Sequence, residues 1–165
     1  MILEDVLRSG LDIVFCGTAV GTQSQRKNAY YAGPGNKFYP TLFQLSFTEK
    51  LLSPGEYKTL VKYRIGLTDL VKTQSGSDHI LQKEHFDIPG FAKKILAFQP
   101  KIVCFNGKAS AAAFLFSNHK KTRLVSYGIL SQKIGKTLGY VAPSTSGSAN
   151  RFWDISYWEK LKNLI

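Results

Sequence analysis

The chain has 165 residues, a length that accommodates one domain and allows roughly two-thirds of the unfolded surface to be buried. With 44% apolar and 20% charged residues it is not a disordered chain. Its 22 Lys and Arg against 11 Asp and Glu leave a net charge of +11, which attracts polyanions: nucleic acid first, an acidic membrane surface second. The longest apolar stretches, such as Ala111 to Phe116, fall far short of the ~20 residues of a membrane span.

Glu4 and Asp5 stand where a secretory leader carries basic residues. Cys16 and Cys104 sit inside apolar runs and read as buried, reduced thiols, although spacing alone leaves a disulfide between them open. The expectation is a cytoplasmic protein. His79, His85, His119 and the two cysteines have no metal-ligand spacing, so no metal and no cofactor are expected.

In chain order, Ile13 to Cys16 reads as a buried strand ending at Gly17. Phe38 to Phe47 carries Phe38, Leu42 and Leu45 on one helical stripe. Ser53-Pro54-Gly55-Glu56 is a helix start with a capping box. Ile65 to Leu67 is a short strand, and Pro89 to Phe98 a helix closed by Gln99-Pro100. Lys101 to Phe105 is a strand that turns at Asn106-Gly107 into an Ala-rich helix, Lys108 to Phe116. Leu138 to Ala142 is a further strand and Trp153 to Leu164 a terminal helix. Continuous apolar strands alternating with helices predict a three-layer α/β/α sandwich around a short, mostly parallel sheet. Two polar loops, Thr22 to Lys37 and Lys72 to Glu84, are long enough to suggest function.

Ligands of open α/β sheets bind beyond the carboxyl ends of the strands. Those ends carry Gly17-Thr18-Ala19-Val20-Gly21, Thr68-Asp69, Asn106-Gly107-Lys108 and the segment from Pro143 to Arg151. The first loop lacks the third glycine of a dinucleotide site and the Lys-Ser/Thr of a phosphate loop. Alone it is compatible with a tight turn or with a nucleotide cradle in a small-molecule enzyme.

Phe15-Cys16-Gly17-Thr18-Ala19-Val20-Gly21 resembles the first motif, Gly-Ile-Asn-Pro-Gly, of the mismatch-specific group of uracil-DNA glycosylases, which includes the thymine-DNA glycosylases. Tyr31 to Tyr39 is similar to that family's aromatic-X-X-Pro-X-Asn-Arg/Lys-Phe-Trp segment, and Arg64 to Val71 to its Gly-Val/Leu-Thr-X-Leu strand. Asn106-Gly107-Lys108 and Pro143-Ser144-Thr145-Ser146-Gly147 resemble the remaining two motifs, the last usually Pro-Asn-Pro-Ser-Gly. The motifs occur in family order from about Leu3 to Leu161.

The resemblance implies a monomeric base-excision repair hydrolase that removes uracil, or another deaminated or mismatched base, from double-stranded DNA. The target base must leave the stack, and Tyr31 takes the position on which it would lie. Backbone N–H groups at Gly17, Thr18 and Ala19 would stabilise the departing anion, with Asn36 and Ser144 at the base edge. Asn36 is equally readable as a turn residue. Lys37 and Lys108, with Ser146, Gly147, Ser148, Asn150 and Arg151, would meet DNA; Lys72 also flanks a motif loop and is expected on that rim. Asn150 or Arg151 would share the work of filling the vacated stack.

Ala19 replaces the asparagine that orients water in the family motif. Asp69, at a strand's carboxyl end on the same rim, is the candidate replacement; its bland alternative is a turn or capping residue. The loss at Ala19 also favours a rival reading, a non-catalytic nucleic-acid-binding module on the same fold. Asp12 is expected at the far end of the sheet, and Asp154 as a helix cap.

Overall fold

The computed structural model describes residues 1–165. Apolar runs too short for helices become five strands: β1 (Ile13–Gly17), β2 (Ile65–Asp69), β3 (Ile102–Asn106), β4 (Gly128–Ile129) and β5 (Leu138–Ala142). Their order is β2-β1-β3-β5-β4; every pair is parallel except β4 with β5. The helices are α1 (Thr22–Lys27), α2 (Phe38–Gln44), α3 (Ile88–Phe98), α4 (Lys108–Phe116) and α5 (Ile155–Lys162). The expected strands are all present. The two-residue β4 and the one-turn α1, inside the polar loop after β1, carry no periodic signal and were not anticipated.

β1, β2, β3 and β5 are buried along nearly their whole length, apolar except at the carboxyl rim, because both faces of the sheet are covered. Ile13, Phe15, Ile102 and Cys104 face one core, which holds Phe38 and Leu42 of α2 and Trp158 of α5. Val14, Cys16, Val103 and Phe105 face the other, against Phe91 and Ile95 of α3 and Ala111 to Ala113 of α4. This is the three-layer arrangement. The first core is aromatic: the Phe15 ring stacks on Trp158 at 5.4 Å and meets Phe38 edge-on at 5.1 Å. Cys16 and Cys104 belong to opposite cores, and both are free thiols.

Local chemistry sets the ends of the elements. Asp87 caps α3 by accepting from the Gly90 N–H at 2.9 Å, and Gln99 closes that helix in a left-handed conformation before Pro100. Asp154 caps α5, accepting from the Ser156 N–H at 3.0 Å. Ser53 starts a turn as expected, its N–H donating to Glu56 at 3.1 Å, but Pro54–Tyr63 winds as 3-10 helix. Asp12 lies at the amino end of β1, paired with Arg64 at 2.8 Å and Lys101 at 3.1 Å. No helix is long and apolar enough to cross a membrane.

The N-terminal segment shields the β2 edge. Val6 exchanges two 2.9 Å backbone hydrogen bonds with Leu67, which places Asp5 beside Thr68. Gly66 permits this approach: a Cβ there would lie 2.5 Å from the Val6 carbonyl oxygen and 2.7 Å from Leu11. Gly66→Ala is therefore expected to lower unfolding stability by about 1–3 kcal/mol, the range for overpacking. Urea denaturation measures it, and wild-type stability would mean the segment yields without cost.

Candidate active site

The carboxyl ends of β1, β2, β3 and β5 open into one cleft of about 550 Å³. Gly17 to Gly21 form one wall, Tyr31 to Asn36 another, and Ser144 to Ala149 a third, with Asp69 and Asn106 among the lining residues between them. The first turn of α4, from Lys108 to Ser110, also lines it, presenting the positive end of a helix dipole.

The wall after β1 has donors to offer. The carbonyls of Gly17, Thr18 and Val20 accept from Leu70, Val71 and Gly76, whereas none of the N–H groups from Thr18 to Gly21 is taken up by a backbone acceptor. Ala19 lines the cleft without a polar side chain. Thr18 donates through Oγ1 to Asp78 at 2.6 Å, and the backbone oxygen of Asp78 lies 3.1 Å from His119 Nε2. The polar loop after β2 is thus drawn over the cleft by two contacts that span 60 and 41 residues of sequence. Asp78 lines the cleft from the polar loop after β2, where no periodic signal marks it.

Asp69 ends β2 and is only 4% exposed. Its Oδ1 lies 3.1 Å from the point a Cβ on Gly17 would occupy, and the Tyr31 hydroxyl is 3.8 Å from the same point. Two buried polar atoms here have no hydrogen-bond partner: Tyr31 Oη and Asp69 Oδ2. Lys72 Nζ is 3.5 Å from Oδ2, an ion-pair distance too long for a good hydrogen bond. Burial pushes the Asp69 carboxyl up to about 6, against the pull of Lys72 and with the repulsion of Asp5. Burial, then the Asp69 charge, holds the Tyr31 phenol well above its usual range, so it remains a neutral donor.

Tyr31 adopts a positive φ of 55°. One face of its ring rests on Phe38, centroids 4.1 Å apart. Asn36 lines the cleft, but its Oδ1 accepts from the Phe38 N–H at 3.0 Å, so the turn role holds that oxygen. Asn106 is a clip: Nδ2 donates to Thr145 Oγ1 and Oδ1 accepts from the Thr145 N–H, each at 3.0 Å. Ser144 Oγ accepts from the Ser146 N–H at 3.2 Å, and Ser146 Oγ caps the 3-10 segment Gly147–Phe152 through the Ser148 N–H.

The cationic residues divide. Lys108 lines the cleft with its ammonium 4.5 Å from the Tyr127 ring centroid. Lys37 lies outside the cleft lining, donating to Asn150 and sitting 5.7 Å from the Trp153 ring centroid. Arg151 is exposed, its guanidinium 4.7 Å from the ring centroid of Phe152, which is 56% exposed. Lys72 corrects the expectation of a DNA-facing cation. It is 13% exposed and contacts Asp5 at 2.8 Å and the Tyr30 hydroxyl at 3.1 Å. Two buried carboxylates need a counter-charge more than the rim does.

A mostly parallel sheet with a polar cleft at its carboxyl edge, one wall rich in free N–H groups and one buried carboxylate, is the ligand-binding arrangement of an open α/β protein. The sequence profile of the uracil DNA glycosylase superfamily matches residues 5–162, and the chain belongs to that superfamily. The fold is also that of a candidate uracil DNA glycosylase from Methanosarcina acetivorans, solved in solution. The two share 23% identity and a TM-score of 0.66, over 98% of this chain and 95% of that one. Membership supports a DNA glycosylase role, that of a hydrolase acting on DNA.

Proposed function

We propose that the protein excises uracil, and other deaminated or mismatched bases, from duplex DNA as a monomeric, monofunctional glycosylase of the mismatch-specific group. The observation that carries this reading is the buried carboxylate of Asp69 beside the free N–H wall after β1, both lining one cleft of about 550 Å³. The target nucleotide swings out of the duplex, and its base enters beneath Tyr31. As the C1′–N1 bond breaks, its electron pair passes to the base, whose carbonyl oxygens take hydrogen bonds from the Thr18 to Gly21 N–H groups. Positive charge grows on the sugar and is stabilised by the Asp69 carboxylate. A water oxygen bonds to C1′ and its proton passes to Asp69, leaving an abasic sugar. The departed base takes its proton from solvent. Lys108, Arg151 and the Ser146-Gly147-Ser148 backbone hold phosphates, and the exposed Arg151–Phe152 pair fills the vacated stack.

Ala19 favours one rival, a binding module without chemistry. The assay that separates them incubates the protein with a uracil-containing duplex and then adds alkali. Strand scission at the uracil is expected, because alkali cleaves an abasic site. Tight duplex binding without scission, across a panel of uracil, G:T, hypoxanthine and xanthine substrates, would establish the binding module.

A further inference from the structure

Asp69 does not stand alone. Lys72 Nζ is 3.5 Å from its Oδ2 and 2.8 Å from Asp5 Oδ1. Asp5 in turn accepts from the Thr68 hydroxyl at 2.8 Å and from Lys94 of α3 at 2.7 Å. Lys72 also donates to the Tyr30 hydroxyl at 3.1 Å and lies 5.6 Å from that ring's centroid. Lys72 and Asp5 are each 13% exposed, so solvent screens this cluster weakly. The cluster joins four parts of the chain: the N-terminal segment, the end of β2, the loop before α2, and α3. The other titratable groups facing Asp69 are the Tyr30 and Tyr31 hydroxyls and the Cys16 thiol, all raised by burial and neutral at physiological pH. Lys72 is the nearest cation, and Asp5 the nearest second anion.

We propose that Asp5 and Lys72 are positioning residues that set the charge on Asp69: Lys72 keeps the carboxylate ionised, and Asp5 fixes Lys72 in place while restraining its pull. The proposal rests on the assignment of Asp69 as the group that takes the water's proton. An ammonium bonded to Asp69 alone would hold the carboxylate so acidic that it would be a poor proton acceptor. A site without the ammonium would protonate the buried acid near neutrality. Sharing Lys72 between two carboxylates gives an intermediate basicity. Asp5 is also tethered by Thr68, the residue before Asp69, so the restraint is built into the same strand end.

Opposite signs test the idea. Single-turnover excision of uracil from a duplex is followed against pH for wild type, Lys72→Met, Lys72→Arg and Asp5→Asn. Activity should fall on the acid side as Asp69 protonates, near pH 6 in the wild type. Lys72→Met should move that limb upward by about one pH unit, a ~10-fold loss on its acid side. Lys72→Arg should return it toward the wild-type position. Asp5→Asn should move it downward, because a like charge is lost and Lys72 turns wholly to Asp69. A structural role alone would lower rates at every pH without displacing the limb. Limbs that stay in place, or that move the same way in Lys72→Met and Asp5→Asn, overturn the proposal. If Lys72→Met does not fold, the downward shift in Asp5→Asn decides. Carbon-13 NMR titration of the Asp69 carboxyl in wild type and Asp5→Asn gives the same readout without catalysis. A shifted titration in a protein that cleaves none of the uracil, G:T, hypoxanthine or xanthine duplexes would sink the glycosylase reading and leave the charge-setting pair standing.

Discussion

Asp69→Asn is expected to lower single-turnover uracil excision by at least ~10²-fold, the usual yield of a positioned general base, while duplex affinity stays within about twofold. Asparagine matches aspartate in shape and can still hold a water. It cannot take the water's proton, nor can it offset positive charge on the sugar. Lys72 remains paired with Asp5 at 2.8 Å, so the substitution strands no buried cation. The phosphate-binding candidates Lys108 and Arg151 make no ion pair with Asp69. A variant retaining the wild-type rate would remove the carboxylate from the reaction.

The same variant should gain relative stability as pH rises. Asp69 titrates near 6 in the folded chain against a reference of 3.8. Between these values the native state binds the extra proton, so wild-type stability declines as pH rises through that window. Asparagine has no such term. From pH 4 to 7 the stability of Asp69→Asn relative to wild type should rise by about 2–3 kcal/mol, read from denaturant midpoints. A site that loses rate and gains stability when neutralised is held in strain for chemistry. A parallel pH dependence of the two proteins would place Asp69 in an ordinary solvated setting.

Much of the framework is legible in the residues. Continuous apolar runs marked β1, β3 and β5, because a sheet buried on both faces needs no alternation, and Gly17, Asp69, Asn106 and Ser144 follow at the rim by topology. Partners distant in sequence are not legible. Lys72 looks like a phosphate contact from its motif loop, and nothing in the sequence ties it to Asp5, 67 positions earlier. The i,i+3 spacing of Asp69 and Lys72 on a chain leaving a buried strand was the available signal, since a buried acid recruits the nearest cation. Asn36 is also ambiguous, because one side chain can face a ligand and still hold the N–H two residues on. Asp78 and His119 meet only through tertiary folding of a loop that has no periodicity.

The gap between two walls of the cleft is set by a glycine, and Gly147→Val should reveal it. A Cβ at Gly147 would lie 2.9 Å from the Pro34 carbonyl oxygen and 3.6 Å from Gly35 Cα. The contact is backbone against backbone, so no flexible side chain can give way. Two residues on, the Lys37 N–H donates to the Thr145 carbonyl at 2.8 Å, which ties the same two loops together. Valine would lever Pro34 and Gly35 outward, and the displacement would reach Tyr31, three residues upstream of Pro34, together with the donors from Ser146 to Ser148. A shift of about 1 Å in positioning groups can cost ~10²-fold, and that loss is expected in single-turnover excision. Tyr30 and Ala32 at the base of the first loop belong to the Phe38 core, so unfolding stability should also fall, by about 1–3 kcal/mol. Unlike Asp69→Asn, this variant should also bind duplex DNA more weakly, because the phosphate-facing segment moves with the wall. Wild-type excision by Gly147→Val would mean that the cleft width is not governed by this approach and that the two loops act independently.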